Sequence, residues 1–166
     1  MKKIYLTITI AVFLLICFNR LQAQTTQTKL NQVELMKQLI GNWKSDPFQD
    51  SVWIGECKPY GKGLEWTSKT MVKDKVVREG KALMGYDKNN DKLIECDINK
   101  TTSEITLYSM WFTSSNKFTE IYFKDVSNPD KASFVSKCEF KSADLFTETD
   151  TQDNKTIGTY TFHRAK

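Results

Sequence analysis

From Trp43 to the end, the chain alternates apolar and polar positions in short runs, broken by turn residues about every ten positions. Runs rich in β-branched and aromatic residues, bounded by Gly, Pro, Asn and Asp, mark strands joined as hairpins. Strands are expected over 42–46, 51–60, 63–73, 76–86, 92–99, 104–114, 117–125, 131–140, 143–149 and 155–164. Pro47, Gly61-Lys62-Gly63, Lys88 to Asp91, and Asn128-Pro129-Asp130 punctuate them. No stretch between strands is long enough for a crossover helix, which excludes a parallel sheet. About ten sequential antiparallel strands in a small domain must hide their edges, and closure into a barrel does so. A two-sheet sandwich is the alternative.

Ahead of the strands the period changes. Val33, Leu35, Met36, Leu39 and Ile40 fall near one helical face. Asn31 suits the N-cap, and Gly41 suits the stop. The expected fold is therefore all-β, an up-and-down antiparallel barrel of about ten strands with one short N-terminal helix.

Residues 1–23 read differently again. Lys2 and Lys3 precede an apolar run from Ile4 to Phe18, shorter than the ~20 residues that span a bilayer. Ala23 closes a cleavage site with Leu21, so 1–23 is read as a secretory signal peptide. A lipoprotein signal at Cys17 would need a small residue before it, where Ile16 stands. Residues 24–30 form a polar, flexible lead, and 31–166 form the barrel domain. The expected location is outside the cytoplasm, periplasmic or extracellular, with no membrane span after cleavage.

Cleavage changes the charge picture. It removes Lys2, Lys3 and Arg20 and no acid, taking the formal charge from +4 to +1 (three cations lost). A near-neutral domain gives no electrostatic case for nucleic acid. Cys57, Cys96 and Cys138 remain, so at most one bridge forms among them.

Several strands mix aromatic with small or polar groups on one face. Leu64 and Trp66 share a face with Ser68 and Thr70; Ala82, Met84 and Tyr86 share a face; so do Tyr160, Phe162 and Arg164. Strand 92–99 puts Ile94, Cys96 and Ile98 on one face, Glu95 and Asp97 on the other. In 104–114 and 117–125 both faces are apolar, and the inner one stays open. Such faces point to an interior with room for a ligand.

Candidate chemistry is sparse. The lone His163 lies on the face opposite Phe162 and Arg164, hence outward if Arg164 is inward. Cys57, Cys96, Cys138 and His163 lack the close ligand spacing of structural zinc sites. Asp87 to Asp91 echoes a calcium loop but has Lys92 where glycine is required and Ile98 where glutamate is required, so it reads as a hairpin turn. Glu148, Asp150 and Asp153 read as a solvated acidic patch. Carboxylate pairs such as Glu65 and Glu79 cannot be placed from sequence. No Gly-x-Ser-x-Gly or phosphate-binding glycine run occurs. No catalytic residue, metal or cofactor is expected.

The helix leading into Leu39-Ile40-Gly41-Asn42-Trp43-Lys44, with a terminal Tyr160-Thr161-Phe162-His163-Arg164, resembles the calycin superfamily of lipocalins and fatty-acid-binding proteins. With Pro59-Tyr60-Gly61 and Gly80 to Asp87, the chain is similar to lipocalin-like proteins exported by bacteria, of the DUF1579 type. The resemblance implies that Trp43 closes one barrel end with Arg164 across its ring, a structural role. Some lipocalin-like barrels hold haem through one histidine near the C-terminus, but an outward His163 argues against it here.

The expected function is non-catalytic binding of a small, mostly hydrophobic ligand in the interior. Trp66, Met84, Tyr86 and Tyr160 are the expected wall residues. The alternative is a protein-interaction or structural module of the cell envelope with a filled barrel.

Overall fold

The computed structural model describes residues 29–165. The expected signal peptide, 1–23, and the lead as far as residue 28 lie outside the described residues. Lys29 and Leu30, the end of that lead, are docked: Lys29 pairs with Asp91 at 3.3 Å, and Leu30 packs on the core.

The chain forms a closed barrel of antiparallel strands, each hydrogen-bonded to its sequence neighbour and the last to the first. The strands are β1 (Gly41–Ser45), β2 (Ser51–Tyr60), β3 (Gly63–Val72), β4 (Lys75–Asp87) and β5 (Lys92–Asn99). They continue as β6 (Ile105–Ser114), β7 (Lys117–Tyr122), β8 (Phe134–Ser142), β9 (Leu145–Gln152) and β10 (Lys155–Arg164). Two-residue turns at Lys73-Asp74 and Asp153-Asn154 have positive φ at both positions, the geometry that follows the twist of a hairpin.

The main departure from the sequence expectation is the stretch 123–133. Two 3₁₀ turns, Phe123–Asp125 and Pro129–Lys131, replace the expected strand ends. Asp125 holds them, accepting hydrogen bonds from the Ser133 amide at 3.0 Å and hydroxyl at 2.8 Å.

Helix α1 (Gln32–Met36) is one turn, continued by a 3₁₀ turn over Lys37–Leu39. Asn31 caps it by accepting from the Glu34 amide at 3.1 Å. The helix covers the end of the barrel where β1 begins and β2 finishes, called here the helix end. Met36 and Leu39 are buried there against Trp43, Leu93, Phe112 and Phe140. Gln32 fastens the lid. Its amide donates to the Phe112 carbonyl at 3.2 Å and accepts from the Phe112 amide at 2.7 Å, beside a register shift in the β6–β7 pairing. A strand-like pair of bonds is thereby made by a side chain.

The helix end is sealed by Trp43 and Arg164, direct partners across the β1–β10 seam. Trp43 is wholly buried, and its indole N–H donates to the Leu39 carbonyl at 2.7 Å. The Arg164 guanidinium lies 4.3 Å from the indole centroid. It also donates to the carbonyls of Ile40, Gln38 and Ala143. Cation–π attraction and several carbonyl caps thus meet in one side chain. Gly41 makes room: its φ is +139°, and a Cβ there would collide with the Arg164 guanidinium.

Candidate functional site

Hydrophobic packing fills the helix end, and toward the opposite rim Tyr108, Tyr122 and Phe134 pack on one another. Above the helix end lies a cavity of about 370 Å³ that reaches toward the opposite rim. Its floor is apolar, formed by Leu39, Met84, Met110, Phe118, Phe146 and Phe162. Phe48, Ser51, Thr70 and Arg78 line it nearer the rim opposite the helix. Phe48 sits in the β1–β2 connection and stacks edge-on against Tyr160, centroids 4.9 Å apart.

One wall is aromatic. Trp53 and Trp66 lie with centroids 5.5 Å apart, and Trp53 meets Phe162 edge-on at 5.3 Å. Inward-facing glycines create this wall. A Cβ at Gly55 would strike the Trp53 ring, and one at Gly158 would strike the Tyr160 ring. Both rings can therefore lie along the barrel wall and leave the middle open.

The other wall is acidic. Glu95 on β5, Glu120 on β7, and Glu148 and Asp150 on β9 line the cavity, while Asp97 stands beside them on the same face of β5. One cation answers them: Arg78 bonds Asp97 at 2.5 Å. The Ser136 hydroxyl, itself buried, donates to Glu148 at 3.1 Å. Asp150 Oδ1 is buried without a hydrogen-bond partner.

Low-dielectric surroundings and like charge make the ionised form costly, so the carboxyl pKa values rise. Burial, then Asp97, lifts Glu95 to about 7, against the pull of Arg78. Burial, then Asp150, lifts Glu148 to about 8. Burial, then Glu95 and Glu148, pushes Glu120 well above the usual carboxylate range. Asp150 is raised too, chiefly by burial. These groups share protons and titrate as a set.

Of the expected wall residues, Trp66, Met84 and Tyr160 line the cavity. Tyr86 does not. It shares the face of Met84 but stands one step nearer the helix-end rim, exposed, with its hydroxyl donating to Asp91 at 2.7 Å. The strand outruns the space its inward face can fill, and the phenol turns to the hairpin turn instead. The expectation of a solvated patch at Glu148 and Asp150 is also corrected: both line the cavity, and only Asp153 is in the exposed turn.

The missed acids carry a signal in alternation. Counting by twos from Phe146 reaches Glu148 and Asp150; from Phe118 it reaches Glu120; from Leu93 it reaches Glu95 and Asp97. Each starting residue is buried. On β5 the more apolar face, with Ile94, Cys96 and Ile98, turns outward, which reverses the usual reading of a strand.

The remaining candidates are structural. Cys57, Cys96 and Cys138 are free thiols, Cys57 and Cys138 buried and Cys96 on the opposite face of the wall. Burial pushes the Cys57 thiol up to about 12, so it is inert as a nucleophile. His163 is exposed and 3.2 Å from Asp46. Glu65 and Glu79 sit on the outer wall, paired with Lys81 and Lys100 at 3.0 Å each. Among the described residues no three metal-ligating side chains group closely enough to hold an ion, and no helix is long and apolar enough to cross a membrane.

No protein-family model matches this chain, and no curated protein matches it.

Proposed function

We propose that this chain is an exported, lipocalin-like carrier that holds a small ligand in the barrel without altering it. The observation that carries this reading is the cavity of about 370 Å³, within the roughly 300–1,000 Å³ typical of small-molecule sites. An apolar floor and the Trp53–Trp66 pair supply area for an apolar body. The polar wall supplies orientation.

A second reading, an interaction module using its outside, draws on exposed Leu83, Ile98, Ile105 and Leu107, neighbours across β4, β5 and β6. That reading asks for a filled barrel, and the open interior favours the carrier.

The test is mass spectrometry of the protein taken from its native compartment, native against denatured. A noncovalent mass that leaves on denaturation, with the molecule recovered chemically unchanged, supports carriage. A molecule recovered altered points to catalysis by the buried carboxyls. A bare native monomer, together with no small-molecule binding by calorimetry, overturns the carrier reading.

A further inference from the structure

The acidic wall is unusual as a resting arrangement. Charges held away from water are retained in proteins when paired, and among the described residues one of these five acids, Asp97, has a cation, while Glu148 has the Ser136 hydroxyl. Glu120 is partly buried and lines the cavity. Among the described residues, neither Glu95 nor Glu120 accepts a hydrogen bond, and Asp150 Oδ1 is buried and unpartnered. Arg78 is engaged with Asp97.

The register brings the acceptors together. Glu120 is the direct partner of Ser136, Ser136 of Asp150, and Cys138 of Glu148. Glu120 and Asp150 therefore flank one intervening strand, about 10 Å apart at the backbone, with side chains converging on the cavity. The rings of Trp53 and Trp66, on β2 and β3, line the cavity away from β7 and β9, while Tyr160 is the direct partner of Glu148 on the neighbouring strand.

The missing partner is a cation. An anion would meet repulsion from every carboxylate that ionises. A neutral ligand would leave the carboxyls unanswered. A bare metal ion needs ligands gathered at one point, and no such group exists among the described residues. A primary ammonium has three N–H donors pointing in different directions, which suits acceptors spread over neighbouring strands. Resting on the carrier reading, we infer that the ligand is a small amine with an apolar body, its ammonium held by Glu120, Glu148 and Asp150 and its body on the apolar floor against the Trp53–Trp66 pair.

The charge state of the site then sets affinity. The groups facing Glu120 and Glu148 are Glu95, Asp97 and Asp150, with Tyr108, Tyr160 and the thiol of Cys138 alongside and Arg78 as the opposing cation. Protons on these carboxyls compete with the ammonium. Amine affinity rises with pH across the range where they ionise, up to the point where the amine itself begins to lose its proton.

Calorimetry with 2-phenylethylamine, 2-phenylethanol and phenylacetate tests this, because one apolar body carries positive, zero and negative charge. At pH 8 the amine should bind about tenfold or more tighter than the alcohol, and phenylacetate should give no heat. Between pH 6 and 8.5 the amine should gain about threefold or more while the alcohol stays level. E120Q and E148Q should each shrink the amine-over-alcohol ratio by about fivefold. The unmodified protein's pH profile stands as a test even if a variant fails to fold. Alcohol binding as tight as amine overturns the amine inference and leaves the carrier. Phenylacetate binding best overturns it too. Failure of all three to bind at millimolar concentration overturns the amine inference, while the carrier is judged separately by the noncovalent mass.

Discussion

The two ends of this barrel are built from the same strands and differ in nearly everything else. At the helix end, inward positions are Trp43, Leu93, Phe112 and Phe140, packed without open space and sealed by Arg164. Further from that end, along β5, β7 and β9, inward positions become Glu95, Glu120, Glu148 and Asp150 around a cavity. One end contributes stability by excluding water from apolar surface. The other end gives some of it up, since carboxyls are buried there with few partners. Stability and binding are divided along the barrel axis.

The sharpest way to break that division is at Trp43. Trp43→Ala removes a wholly buried indole and the surface Arg164 rests on, so unfolding in urea should show a loss of roughly 3–5 kcal/mol. A loss below about 1 kcal/mol would mean the helix end is not the stabilising half.

The acidic end should reveal itself through pH. Carboxyls whose folded pKa is raised bind protons that the unfolded chain has already released. Their protonated form is therefore favourable below the unfolded pKa, and stability is lost as pH rises through the folded values, about 7 for Glu95 and about 8 for Glu148. Between pH 5 and 8.5 the ligand-free protein should lose on the order of 3 kcal/mol, read as a falling Tm. E148Q should flatten that slope and raise Tm at pH 8.5. A Tm that climbs over this range would contradict a buried, unpaired carboxyl set.

Gln32→Leu leaves the Phe112 amide and carbonyl without partners at the lid, at a cost of about 1–3 kcal/mol in chemical denaturation. Trp66→Ala, half-buried and on the cavity wall, should cost about 1–2 kcal/mol of stability and more in ligand affinity. The smallest effect belongs to Tyr86→Phe: its hydroxyl serves only the exposed turn at Asp91, and stability should change by less than about 0.5 kcal/mol with binding untouched.

The fold was legible because turns and alternation are local. Strands 51–60, 92–99 and 155–164 coincide with β2, β5 and β10, and Asn31 does cap the helix. The stretch 123–133 was not, because Asp125 reaches eight residues on to Ser133 to hold turns that β-propensity does not foresee. The site was half legible. Trp66, Met84 and Tyr160 follow from the alternation of large apolar residues with polar ones. The acids did not, because hydrophobicity alone chooses the wrong face of β5: Ile98 is exposed, while Glu95 lines the interior. Burial of a charge is a functional exception that pattern rules are designed to reject.

The seam between β1 and β10 also governs how the chain reaches this form. Trp43 lies on the first strand of the barrel and its partner Arg164 at the end of the tenth. Every other strand pair joins sequence neighbours and can zip as hairpins, but this pairing waits for all ten strands. A chain emerging N-terminus first therefore stays an open, curling sheet with two bare edges until its final strand is free. Residue 164 then closes the ring, covers the indole and ties Ile40, Gln38 and Ala143 in one event. The last strand acts as a clasp, and loss of even its final turn of sequence would leave a sheet that is complete in its hairpins and unable to shut.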